Sequence, residues 1–112
     1  MNKTLQERAI QASMRFLKAN GYEAVREHNG YIVAEDDGSI VIASVKVKTA
    51  DEGFGEVGAD VDRSEFERYG IMLLVENPEY VDTPLRFDEL TLVVLGDNRA
   101  MLRHHINCLE NA

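Results

Sequence analysis

Residues 39–48 read SIVIASVKVK, and this stretch decides the fold. In an extended chain successive side chains point to opposite faces. Ile40, Ile42, Ser44, Lys46 and Lys48 then share one face, and Val41, Ala43, Val45 and Val47 share the other. One face is wholly apolar and the other ends in two lysines. Such a strand belongs in a sheet with a packed layer against it.

Working outward, Asp37-Gly38 just before this strand is the signature of a tight hairpin turn, and Tyr31 to Asp36 is the strand that enters it. Tyr22 to Glu27 is a weaker strand. Before it, Thr4 and Glu7 have the spacing of a capping box, and Leu5, Ala9, Ala12, Phe16 and Leu17 recur at helical intervals. A helix over Leu5 to Asn20, stopped by Gly21, is expected. Thr49 to Val61 is rich in glycine and acid without a period, and is expected to be a loop. A second helix is expected from Ser64 to Asn77, with Asp62 or Ser64 as N-cap, Phe66, Tyr69, Leu73 and Leu74 on the buried stripe, and Pro78 closing it. Leu85 to Leu95 is a strand, Gly96-Asp97-Asn98 a turn, and Ala100 to Ile106 a last strand. The order predicts an α/β fold, a mixed β-sheet flanked by helices, in which the second helix carries the chain from the hairpin to the later strands.

The 112 residues suit a single domain spanning 1–112. Twelve Lys plus Arg against twenty Asp plus Glu give a net charge of −8, so the overall field offers nucleic acid or anionic membrane no attraction. The longest apolar run, Ile71 to Val75, falls far short of the roughly 18 residues that cross a bilayer, so no membrane role is expected. With no secretory-type leader in the first residues and one cysteine, the chain reads as cytoplasmic, and Cys108 as a plain thiol near the chain end.

Several short motifs in order then resemble the YraN-like family of predicted endonucleases, which have the restriction-endonuclease-like fold. They are Phe16-Leu17 and Gly21-Tyr22 closing the first helix, Val45-Lys46-Val47-Lys48-Thr49, Phe54-Gly55, Arg86-Phe87-Asp88 and His105-Ile106. The resemblance covers most of the chain and implies a restriction-endonuclease-like fold. It also implies a metal site in which a helix Glu, a strand Asp and a Glu-x-Lys hold Mg²⁺ or Mn²⁺ while the Lys orients water. Carried over, Lys48 falls on the family lysine. The three acid positions, however, fall on Lys46, on Tyr31 counted back from Ala34, and on Ile10 counted back from Gly21. An acid replaced by Lys46 changes the local charge by two and repels a cation.

The resemblance therefore implies a degenerate nuclease with Lys46 and a vestigial Lys48 in the pocket, no resident metal, and a scaffold kept for nucleic-acid or protein binding. The alternative is a nuclease with a relocated Mg²⁺ or Mn²⁺ site. If Asp36 pairs with Ser39, counting outward sets Asn29 opposite Lys46 and Glu27 opposite Lys48, where Glu27 is either a stand-in ligand or a cross-strand ion pair. Glu7, one helical turn from Ile10, is the other candidate ligand, with its own explanation as a capping residue. Glu35, Asp36 and Asp37 surround a turn and read as solvated. His104 and His105 face opposite ways on a strand and make a poor zinc pair. A homodimer through a sheet edge is a further possibility. The expectation that the pocket is basic, inside an acidic protein, points to an anion or a partner rather than to a metal.

Overall fold

The computed structural model describes residues 4–49, 62–96 and 99–109. Helix α1 runs Leu5–Ala19. Its capping box forms as the sequence requires, with the Glu7 N–H donating to Thr4 Oγ1 at 3.1 Å and the Glu7 carboxylate accepting from the Thr4 N–H at 3.4 Å. It stops one residue earlier than expected, because Asn20 caps it and Gly21 turns the chain at φ +89°. Strands β1 (Glu23–His28), β2 (Tyr31–Asp36) and β3 (Ser39–Thr49) follow. Thr49 is thus the last strand residue, paired with Val94, rather than the first of a loop. The rest of the expected loop, 50–61, lies outside the described residues.

Helix α2 is Arg63–Glu76, and of the two candidate caps Asp62 is the one used, its carboxylate accepting from the Glu65 N–H at 3.0 Å. Pro78 opens a 3-10 turn to Tyr80. Strands β4 (Leu85–Gly96) and β5 (Arg99–His105) follow, and the expected turn at Asp97-Asn98 lies outside the described residues. The five strands form one sheet in the order β1-β2-β3-β4-β5. Among the described strands only β3 and β4 pair in parallel, the pairing that a helical crossover serves. The α/β class and the flanked mixed sheet are as expected.

The Asp37-Gly38 turn sets Asp36 opposite Ser39, as expected. The count outward from it fails, because a second turn intervenes. Asn29 and Gly30 both have positive φ, +51° and +86°, the conformation of a two-residue hairpin turn. They fold β1 onto the outer edge of β2, and Glu27 pairs with Ile32. Neither Asn29 nor Glu27 therefore lies opposite the lysines of β3. The sequence cue was the Asn-Gly pair itself.

Helices cover the two faces of the sheet. On one, Ala9, Ile10 and Leu17 of α1 pack against Ile32, Ala43, Val45 and Leu90. On the other, Phe66, Tyr69 and Leu73 of α2 pack against Val33, Ile40 and Ile42, with Cys108 and Leu109 of the chain end in the same core. Each fully buried Ile, Leu or Val here contributes about 1.5–3 kcal/mol relative to exposure. Cys108 is accordingly a buried thiol. Its N–H donates to the Phe87 carbonyl at 2.7 Å, and burial pushes its thiol up to about 11.

Gly70 sits where α2 meets β4, and a Cβ there would lie 3.3 Å from the Phe87 ring. Gly70→Val is expected to cost roughly 1–3 kcal/mol by overpacking, read as a lower urea midpoint at unchanged slope. A midpoint equal to wild type would show that α2 can lift off Phe87 freely.

Candidate functional site

Beside the N-terminus of α2 the sheet leaves a cavity of about 320 Å³ lined by Tyr31, Ser44, Lys46, Asp62, Glu65, Phe66 and Glu89, with the Asn29-Gly30 turn at one side. The register builds it. Alternation turns Ser44 and Lys46 of β3 toward the α2 side, and parallel pairing sets Glu89 beside Ser44. Lys46 Nζ lies 3.3 Å from Glu89 Oε2, and the Glu89 side chain is fully buried while that of Lys46 is 30% exposed. Tyr31 stacks on Tyr69 with ring centroids 4.2 Å apart. Burial, then the charges of Glu65 and Asp62, raise its hydroxyl above the ordinary tyrosine value, so it remains protonated. The lining thus carries three carboxylates and one ammonium. The expected basic pocket is corrected: Lys46 is there, but it is bound to a buried acid, and the other charges facing it are negative.

The residues singled out from the sequence fall into separate places. Tyr31 and Lys46 share the cavity, and Lys48, paired with Val93, follows Lys46 on the same side of the sheet. Ile10 is in the apolar core under α1, on the opposite side. Glu7 is engaged at the N-terminus of α1 in the capping box. Glu27, paired with Ile32, also faces the α1 side. From strand spacings of ~4.8 Å and a rise of ~3.3 Å per residue, its Cα lies ~19 Å from that of Lys48. Glu7, Glu27 and Lys48 are not brought together.

The residues at the three acid positions therefore do not fit the divalent cation that the resemblance implies: one is aliphatic and in the core, one is a stacked phenol, and one is itself a cation. Among the described residues no three of His, Cys, Asp and Glu are grouped so as to hold a metal ion.

A second polar cluster lies on the α1 side, around Asp88 of β4. The Arg86 guanidinium donates to both Asp88 oxygens, at 3.0 and 2.9 Å, and also to Asp36 Oδ2 at 2.8 Å and to the Tyr22 hydroxyl at 2.6 Å. Asp88 further accepts from His104 Nε2–H at 2.8 Å and from the Asn107 N–H at 2.9 Å. Burial alone would raise the Asp88 carboxyl. The hydrogen bonds from His104, Arg86 and Asn107 outweigh it and hold Asp88 below the ordinary carboxylate value. Asp36 is thus an ion-pair partner, not a merely solvated turn acid.

His104 and His105 face opposite ways, as expected, and His104 is held edge-on to Phe16 with centroids 5.8 Å apart. Every Asp88 oxygen is occupied by the protein itself, so this cluster is a clasp and not an open site. Through Arg86 it links the turn at Asp36 and Tyr22, just after α1, to the carboxylate that also holds His104 and Asn107. In the sequence Arg86-Phe87-Asp88 stands out only through the resemblance, and Glu89 carries no motif of its own. The available signal was two acids in the middle of an otherwise apolar strand, a position where charge persists only when partnered.

No helix among the described residues is long and apolar enough to cross a membrane. Compared with known proteins, the chain matches no protein-family model and no curated protein.

Proposed function

We propose that this chain is a non-catalytic binding protein of the cytosol, built on a restriction-endonuclease-like scaffold whose metal site has degenerated. The observation that carries this reading is the Lys46–Glu89 pair: an ammonium 3.3 Å from a fully buried carboxylate occupies the strand position where the resemblance calls for a metal-binding acid. A resident lysine sets a positive charge beside Glu89 without a metal. The acidic lining and the net charge of −8 favour a protein partner over nucleic acid, since phosphate binding draws its strength from counterions released by lysines and arginines.

The test is incubation of the purified chain with Mg²⁺ or Mn²⁺ and branched, single-stranded and duplex DNA. No cleavage is expected, and DNA binding no tighter than about 10⁻⁴ M at physiological salt, the weak end of non-specific association. Metal-dependent cleavage that vanishes in Lys48→Ala would overturn the reading in favour of a relocated metal site.

A further inference from the structure

We infer that a proton on His28 latches the hairpin wall of the cavity to α2. Strand β1 ends at His28, and the Asn29-Gly30 turn that follows lines the cavity together with Tyr31. His28 Nδ1 lies 2.6 Å from the Tyr69 hydroxyl, and the same hydroxyl donates to the His28 carbonyl at 3.0 Å. Across the ring, His28 Nε2 lies 3.5 Å from Glu76 Oε1. Tyr69 and Glu76 both belong to α2, so the two ring nitrogens face the same helix.

The number of protons favours one form of the ring. Burial pushes the Tyr69 hydroxyl up to about 12, so it keeps its single proton. While that proton serves the His28 carbonyl, Tyr69 can only accept at Nδ1, as the Glu76 carboxylate can only accept at Nε2. A neutral imidazole has one N–H and cannot supply both. With the proton on Nδ1, a lone pair faces Glu76; with the proton on Nε2, Tyr69 must give up the carbonyl. The imidazolium makes all three contacts at once. Of the other groups around the ring, Tyr31 of β2, which pairs with His28, is a protonated phenol without charge. Arg26, on the same face of β1, is the opposing cation, and it is engaged by the Tyr80 hydroxyl at 3.1 Å and the Ala24 carbonyl at 2.8 Å.

Histidine changes charge between about pH 5 and 8, so the hairpin should be held more firmly on the acid side of that range. The gain is small, because the His28 and Glu76 side chains are 37% and 49% exposed and such pairs are worth little. It does not depend on what the cavity binds. Amide hydrogen exchange in the whole chain reads it, with the intrinsic pH dependence divided out. Protection of the His28 and Tyr31 amides is expected to be about 2–5-fold greater at pH ~5.5 than at pH ~8. Glu76→Gln should abolish that difference, since its amide can accept from an N–H or donate to a lone pair, and His28→Gln should abolish it as well. Three outcomes would overturn the inference: equal protection at the two pH values in wild type, a difference that survives in Glu76→Gln, or a difference shared equally by the amides of the β3 core.

Discussion

Asp88→Ala is expected to lower the melting temperature by roughly 12–20 °C. That follows from about 3–5 kcal/mol for breaking a buried pair by removing one partner, at about 4 °C per kcal/mol for a chain of this length. The magnitude sits at the high end because Asp88 is fully buried and serves four protein donor groups, so its loss takes the acceptor from the largely buried His104 imidazole and two hydrogen bonds from the Arg86 guanidinium, which keeps Asp36 and Tyr22. It also releases the chain end, since the Asn107 N–H loses its acceptor next to the point where Cys108 and Leu109 enter the α2 core.

The same carboxylate dictates a pH dependence. Its folded value is held below the ordinary one, so the stability it confers is present above the unfolded carboxylate value of about 3.9 and is lost as pH falls through the folded value below it. Wild type should therefore lose stability on acidification below about pH 4. Asp88→Asn should start lower and lose less over the same interval, because it no longer carries the titrating group. Denaturant midpoints at several pH values measure both, and a variant as stable as wild type at pH 7 would show that the clasp contributes nothing net.

Why the fold could be read and the site only in part comes down to the range of the interactions. The strand at Ser39–Thr49, the capping box at Thr4 and Glu7 and the Asp37-Gly38 turn are set by neighbours a few residues apart, and each formed as the sequence requires. The Asn29-Gly30 turn was equally local. It sets Glu27 one strand further from β3 than the count from Asp36 does, and on the other face of the sheet, because one reversal changes every pairing beyond it. Glu89 and Lys46 are 43 positions apart and meet only through the parallel register of β3 and β4, which no local pattern specifies. The Asp88 clasp likewise joins Tyr22, Asp36, Arg86 and His104 from four separate segments. Acids at the centre of an apolar strand announce that partners exist, and only the topology says which.

Lys46→Glu tests the proposed degenerate site most directly, and should create a metal-dependent stability that wild type lacks. Without metal the substitution sets a carboxylate diagonally across β3 and β4 from the fully buried Glu89, in place of an ion pair. The expected cost is about 2–4 kcal/mol, somewhat below that of a fully buried pair because the lysine is partly exposed. A divalent cation relieves that repulsion, as Mn²⁺ or Mg²⁺ accepts hard oxygen ligands from both carboxylates with water completing the shell. Binding to the folded state alone adds about 2.7 kcal/mol when the free ion is at 100 times its Kd, a gain of roughly 10 °C.

Lys46→Met is the control, since it removes the same ammonium without supplying an oxygen. It should lose stability and show no response to Mn²⁺. A metal-induced rise in Lys46→Glu alone would mean that the lysine holds the place of a cation and that a single charge reversal restores it. An equal response, or none, in the two variants would mean that the cavity beside Glu89 does not occupy the position of a nuclease metal site, and the YraN-like resemblance would then rest on motifs outside it.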